Sequence, residues 1–466
     1  MHSAHTPRAP RPHQKHVLEQ AKDRNRLGLF HEMRLGKTLT SIWWLAEKKD
    51  AKRILVVAPN SVVGAWQDEI TVERQTSVVL TGTAIQRAEA AISSSARWHL
   101  INHEGLTAKG VRTSSGKKKA TATHICKLPW DAVVIDESDC IKNPTANITK
   151  IATTEFADVK YRAILSGLPN PEHESLDLFA QMKFLNGKLL GETSFWEFRD
   201  KYYYSDLFGR EWHPRQGVQK AIRDEIVRSC FLLTRKDAGL GNVHDLHVRK
   251  LDVPETIRTE IMRAEKEMAV GDKETVWPMV ARGWQLQLLG GRIIDLPRLH
   301  HDAKLKELEK IVVQEMPREK IVVWFRFTAE IEAARTLFSR KNVFATVLDG
   351  NVSVDVRHAR VKSFRAGYGP RVALCQYQAM MYGVDLSAAD INVYYSLPDS
   401  QKQFYQSRER IESLAKHVPL LDIHLAVRDS LDEDIHLALK IKRASSQMFI
   451  NDVTSRLLER VKARVK

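Results

Sequence analysis

Short apolar runs without polar interruption limit what this chain can fold into. Ile54-Leu55-Val56-Val57-Ala58 stops at Pro59, Ala132-Val133-Val134-Ile135 stops at Asp136-Glu137, and Ile321-Val322-Val323-Trp324-Phe325 stops at Arg326. A strand with one wet face alternates apolar and polar side chains, whereas an unbroken run is buried on both faces, as in a parallel sheet covered by helices. Between the runs, helical spacing recurs, with Val62, Val63 and Trp66 in one segment and Leu305, Leu308, Ile311 and Val312 in another. Alternating strand and helix predicts an α/β protein.

The alternation is read twice. Strands are expected at 27–30, 53–58, 98–103, 132–135, 161–166 and 231–235, then again at 320–325, 344–348, 371–375 and 391–395. A chain of 466 residues is too long for one ordinary core. We therefore expect a first lobe over 1–235 with a helical insertion at about 173–230, a helical linker or protrusion over 236–300, and a second lobe over 301–466. An amphipathic basic tail, 431–466, reads as a helical brace, with a DNA-contacting tail as the other reading. The aromatics Phe195, Trp196, Phe198, Tyr202, Tyr203 and Tyr204 read as core packing rather than a base-stacking platform.

A net charge of +15 in a chain without an apolar run of membrane-spanning length points to a polyanionic partner and argues against a membrane one. The N-terminus lacks an apolar signal core, and the four cysteines have no paired spacing, so a reducing compartment is expected: cytoplasm, or nucleus in a eukaryote. Lys117, Lys118 and Lys119 lie in a polar stretch that reads equally as a solvated loop or a nucleic-acid contact.

Two segments carry chemistry. His31-Glu32-Met33-Arg34-Leu35-Gly36-Lys37-Thr38 leads from an apolar strand into an apolar helix. Such a junction cradles phosphate: helix N–H groups face the anion, Lys37 reaches the outer phosphates, and the Thr38 hydroxyl can ligate magnesium. The pattern is incomplete, because His31 stands where a glycine is usual, and an ordinary turn would read the same locally. Asp136-Glu137 closes a buried strand about 100 residues later, at the carboxyl edge where open α/β sheets bind ligands. Asp136 would hold magnesium and Glu137 would orient and deprotonate water. A helix at Ser400–Ser413, rich in Gln and Arg, could supply Arg410 to charge developing on a transferring phosphoryl group, completing an ATPase site across a cleft.

In order and over nearly the whole chain, these segments resemble the Swi/Snf family of superfamily-two helicase-like ATPases. Arg11-Pro12-His13-Gln14 resembles the opening motif, whose glutamine reads adenine. Glu32 to Thr38 is similar to the phosphate loop Asp-Glu-Met-Gly-Leu-Gly-Lys-Thr. Val56-Val57-Ala58-Pro59 with Trp66 and Glu69 resembles the first strand-grip motif, which places Pro59, Asn60 and Ser61 on nucleic acid. Asp136-Glu137-Ser138-Asp139 with Ile141-Lys142-Asn143 resembles Asp-Glu-Ala-His…Ile-Lys-Asn, and Leu165-Ser166-Gly167-Leu168-Pro169 resembles Leu-Ser-Gly-Thr-Pro. By the same resemblance Asn143, Ser166, Gly167 and Gln378 contact nucleic acid. Gln378-Ala379, Gly383-Val384-Asp385-Leu386 and Ala388-Ala389-Asp390 match the fifth motif, and Gln406 with Arg410 the sixth; Arg34, Gly36, Gly383, Asp385 and Gln406 then join Gln14 around the nucleotide.

The resemblance implies two tandem RecA-like parallel-sheet lobes, ATP and Mg2+ as cofactors, and a motor that acts as a monomer on double-stranded or branched DNA. Repair, recombination or replication is the expected setting, with a true strand-separating helicase and a DNA-binding scaffold with a degenerate ATPase site as alternatives. Four departures bear on that. Arg34 replaces a loop glycine, Asp139 a histidine that connects the nucleotide and nucleic-acid sites, and Leu168 a threonine that grips the backbone. Ser413 stands where the sixth motif has its second arginine; Arg408 or Lys416 could substitute, or the register could run from Gln403 with Arg410 as the finger.

Overall fold

A computed structural model gives the fold and describes residues 8–32, 34–60, 62–108, 121–167, 176–206, 212–235, 237–239, 244–293, 296–380, 384–398, 400–413, 416 and 419–439. They fall into two compact units divided between Leu240 and Gly241.

The first unit is built on seven strands: β1 Arg26–His31, β2 Ile54–Ala58, β3 Ser77–Val79, β4 Trp98–Asn102, β5 Ala132–Asp136, β6 Tyr161–Ser166 and β7 Cys230–Leu233. All pair in parallel, in the order β7-β1-β6-β5-β2-β4-β3. The unbroken runs have the cause expected of them. Leu55 and Val57 of β2 face one apolar cluster with Val133 and Ile135 of β5, while Ile54, Val56, Ala132 and Val134 face a second cluster on the other side. Each such fully buried Val, Leu or Ile side chain contributes about 1.5–3 kcal/mol relative to exposure.

Between β6 and β7 the described residues form helices Asp177–Asn186, Phe195–Tyr202 and Val218–Ser229, with a hairpin of Tyr203–Ser205 and Trp212–Pro214. Of the six aromatics read as core, Phe195, Phe198, Tyr202 and Tyr203 pack into the unit. Trp196 and Tyr204 do not; they are 53% and 52% exposed.

The second unit holds six parallel strands: β8 His244–Leu251, β9 Ile321–Phe325, β10 Ala345–Leu348, β11 Val372–Gln376, β12 Ile391–Tyr394 and β13 Leu420–Val427, in the order β8-β13-β12-β9-β11-β10. Strands β8 and β13 were not expected from sequence. β13 carries Asp422 and His424, which break its apolar run but are buried. Among the described residues β8 pairs with β13 alone, and apart from the buried His244 ring its residues are half-buried or exposed without alternation, so it has no burial pattern to read. Its pairing puts 244–251 in the second sheet, within the stretch read as linker.

Helices Glu255–Lys266 and Pro278–Leu289 pack with Val427 in a further apolar cluster. The helix expected at Ala303–Val313 is α-helical over Ala303–Glu309 and π-helical over Lys310–Glu315. Residues 431–439 are helical, and the rest of the basic tail lies outside the described residues. Among the described residues no helix is long and apolar enough to cross a membrane.

Candidate nucleotide site and nucleic-acid interface

Parallel register brings three strand ends to one edge of the first sheet. Phe30 on β1 pairs with Ser166 on β6, and Leu165 of β6 pairs with Asp136 on β5. The phosphate-loop segment, Ser166-Gly167 and Asp136-Glu137 therefore leave the sheet side by side.

The loop turns through two left-handed residues, Arg34 at φ 63° and Gly36 at φ 75°. Gly36 suits this turn. Its backbone favours glycine, and a Cβ there would meet Gln14 Nε2 at 2.5 Å. Arg34 adopts a conformation that costs a non-glycine residue about 1–2 kcal/mol. Gly36 directly precedes helix Lys37–Ala46 and puts no side chain over its first turn, whose N–H groups lack intrahelical acceptors.

Helix Pro12–Ala21 braces the loop from behind. His13 Nε2 lies 3.1 Å from Leu35 O and donates to it. Gln14 Nε2 donates to Thr40 Oγ1 at 3.2 Å and Gly36 O at 3.4 Å, while its Oε1 accepts from Arg11 N at 3.0 Å. Lys37 Nζ donates to His31 O at 2.8 Å and Glu32 O at 3.4 Å, so the lysine curls over its own loop. The buried His31 ring is held neutral, with a pKa pulled down to about 3 by burial and by the Lys37 and His13 charges. Thr38 is half-buried at the helix start.

Opposite the loop, Asp136 is buried and Glu137 is in the left-handed region at φ 50°. Asp136 Oδ2 accepts from Trp66 Nε1 at 2.8 Å and Oδ1 from Glu137 N at 2.9 Å. His103 Nε2 donates to Asp136 O at 2.9 Å. Burial and the Glu137 charge push the Asp136 carboxyl up to about 6, against the pull of Trp66 and Lys37. A buried acid beside a second acid is a group that a cation would stabilise.

The expected nucleic-acid contacts divide. Pro59 is buried, Asn60 exposed, and Ser166 and Gly167 half-buried at the strand edge. Exposed Asn143 shapes its own turn, Oδ1 accepting from Thr145 N at 2.9 Å and Thr145 Oγ1 at 2.8 Å. Gln378 is exposed, in a short turn after β11. Ser61 and Lys117, Lys118 and Lys119 lie outside the described residues, as do Gly383 and Leu168.

In the second unit, helix Gln401–Arg410 carries Gln406 and Arg410, both 5% exposed. Arg410 Nη1 lies 3.5 Å from Val384 O, so the fifth and sixth motifs touch. Asp385 Oδ1 accepts from Ser387 N at 3.0 Å and its Oδ2 lies 3.4 Å from Arg365. The two residues named as substitutes for a second arginine are engaged within the unit. Arg408 Nε is 2.6 Å from Asp422 Oδ2, and Lys416 Nζ is 2.6 Å from Asp390 Oδ1.

Sequence reading missed His103, which follows β4 and reaches the end of β5 although β2 lies between the two strands. It also missed the Trp66–Asp136 bond and the Arg408–Asp422–His244 cluster. Trp66 was visible in its motif; only the fold puts its indole on Asp136.

Two family models match the chain, one within each unit. Residues 13–234 match the SNF2-related domain and residues 303–413 the helicase conserved C-terminal domain. The Arabidopsis thaliana Protein CHROMATIN REMODELING 4 is 23% identical over 91% of this chain and 20% of its own length. The Drosophila melanogaster SWI/SNF-related matrix-associated actin-dependent regulator of chromatin subfamily A-like protein 1 is 22% identical over 90% of this chain and 53% of its own. An uncharacterized ATP-dependent helicase of Mycoplasma pneumoniae is 21% identical over 89% and 39%. This chain thus spans between a fifth and about half of these relatives. A solved structure, the Sulfolobus solfataricus SWI2/SNF2 ATPase core in complex with dsDNA, aligns over 95% of this chain and 94% of that one, with 20% identity and a TM-score of 0.44.

Proposed function

The chain belongs to the SNF2 family of helicase-like ATPases, and from that premise we propose that it is a DNA-dependent ATPase that translocates on duplex or branched DNA. The observation that carries the reading is the shared sheet edge, where the Lys37 loop and the Asp136-Glu137 pair emerge from strands in register. Repair, recombination or replication is the proposed setting, with the protein acting as a monomer on its DNA.

Each residue has a role that its chemistry fits. The helix start behind Gly36 receives phosphate oxygens, and Lys37 exchanges its bonds to His31 O and Glu32 O for the outer phosphates. Thr38 and Asp136 are suited to hold magnesium, which when bound neutralises phosphate charge. Asp136 fits: it is buried, and its raised pKa reflects an anion short of positive charge. Both of its oxygens already accept hydrogen bonds, which leaves lone pairs for a bound water or cation. Glu137 orients the attacking water and accepts its proton, and Arg410 offsets negative charge developing on the phosphoryl group. Pro59, Asn60, Ser61, Asn143, Ser166, Gly167 and Gln378 grip the phosphate backbone, with Lys117, Lys118 and Lys119 as further cations. Backbone contacts of this kind give binding with little sequence preference and strong dependence on salt.

The test is ATP turnover with and without duplex DNA. The parent is expected to be stimulated by DNA and Lys37→Ala to be inactive; an unchanged rate in Lys37→Ala overturns the assignment.

A further inference from the structure

We infer that Trp66 is a positioning residue that couples the strand-grip loop to the Asp136 carboxylate, an inference that rests on the DNA-dependent ATPase reading. Helix Val63–Val72 starts where that loop ends. Val62 N donates to Pro59 O at 2.8 Å and Trp66 N to Val62 O at 3.0 Å, so Pro59 connects to the backbone of Trp66 through two successive hydrogen-bonded turns. From there the indole reaches Asp136 Oδ2 at 2.8 Å.

Both ends of this lever are buried, Trp66 at 0% and Asp136 at 6% exposure. Its stem is stiff. The Trp66 ring packs 6.5 Å from that of Trp98, and Trp98 Nε1 is fixed to Gln75 Oε1 at 2.6 Å. A buried indole N–H needs some acceptor, and a backbone carbonyl would serve for packing alone. Here the acceptor is a carboxylate oxygen at the nucleotide site, and Glu137 N holds the other oxygen. A shift of the helix when DNA seats on its leading loop must therefore move, lengthen or break the bond that orients Oδ2. By linkage, the same bond lets magnesium-nucleotide alter the grip on DNA.

The experiment titrates MgCl2 into the full chain with a fluorescent ADP analogue, with and without a duplex oligonucleotide, alongside DNA-stimulated ATP turnover. In the parent, duplex is expected to lower the half-saturating Mg2+ concentration by about fivefold or more. Trp66→Phe, which keeps an aromatic ring and removes the donor, is expected to bring that ratio close to one and to remove most DNA stimulation. Trp98→Phe is the packing control: it removes a neighbouring buried indole N–H that bonds Gln75, and is expected to keep the coupling. A parent whose Mg2+ dependence ignores DNA, or a Trp66→Phe chain as coupled as the parent, overturns the inference. So does equal loss of coupling in both variants, which would mark a packing effect. A parent without ATP turnover overturns instead the functional reading beneath it.

Discussion

Arg408 and Asp422 meet at 2.6 Å inside the second unit, on side chains 8% and 1% exposed. The Asp422 carboxylate has two further partners: Oδ2 also faces His244 Nδ1 at 3.0 Å, and Oδ1 accepts from Asn392 Nδ2 at 2.9 Å. His244 in turn reaches Glu412 Oε1 at 2.7 Å. Arg408 thus ties the arginine helix to β13 and β8.

This separates two arginines that are only two residues apart in sequence. Arg408→Ala leaves a buried carboxylate without its arginine partner, which costs about 3–5 kcal/mol. A large drop in the urea midpoint is expected. Arg410→Ala is expected to lower ATP turnover about a thousandfold, in the range of a lost arginine finger, while binding of MgADP persists. A stable Arg408→Ala chain with Arg410→Ala turning over at the parent rate would exchange the two roles.

The same cluster sets a pH dependence. Burial draws the His244 ring down, yet its hydrogen bonds to Asp422 and Glu412 hold its pKa above the ordinary 6.5. Its stabilising charge is therefore complete below pH 6.5 and is lost as pH rises through the folded value. Burial raises Asp422, but the His244 bond and the Arg408 charge outweigh it and bring the pKa to about 2. That contribution is present above the ordinary 3.8 and disappears as pH falls toward 2. The buried His31 and His424 rings, with pKa values of about 3, titrate in both chains, so the difference in urea midpoint between the parent and His244→Gln isolates the cluster; it should be full below pH 6.5 and shrink as pH rises through the folded His244 value. A difference that stays constant or grows on the alkaline side would contradict this.

Arg34 offers a test of strain against charge. Its φ of 63° is free to glycine, so Arg34→Gly relieves about 1–2 kcal/mol and the melting temperature is expected to rise by a few degrees. If the guanidinium adds a cation near phosphate, in partial compensation for the absent second arginine, turnover falls in the same variant. A rate equal to or above the parent's would leave Arg34 without a catalytic contribution.

What was legible in the sequence follows from which forces are local. β2, β5 and β9 are buried on both faces, so their runs are uninterrupted and their ends, Pro59 and Asp136-Glu137, are marked by the residues alone. β13 hid because Asp422 and His424 occupy core positions that only partners distant in sequence make tolerable. β8, His244-Asp245-Leu246-His247-Val248-Arg249-Lys250-Leu251, hid because it is held mainly by backbone pairing and by one buried polar ring, His244, not by an apolar face. Likewise the phosphate loop was readable as a motif, but the supports of Asp136 were not. Trp66 is 70 residues away and His103 is 33, and no spacing rule links them.

Glu137 and Lys37 should fail in different ways, and the geometry says how. Lys37 leaves the helix N-terminus and binds loop carbonyls, so its ammonium belongs to the phosphate cradle. Lys37→Ala should weaken ATP binding as well as turnover. Glu137 sits across the edge in a left-handed backbone position, adjoining Asp136 and outside the loop. Glu137→Gln keeps size and hydrogen-bonding reach but cannot take a proton, and loss of a general base costs about 10²–10⁴-fold in rate. The expected result is a chain that binds ATP and duplex DNA together and releases phosphate at least about a hundredfold more slowly than the parent. Filter binding of ATP and a phosphate-release assay on the same preparation separate the two defects. Turnover in Glu137→Gln within about threefold of the parent would move the base elsewhere on the sheet edge, with Asp139 the next acid along the chain.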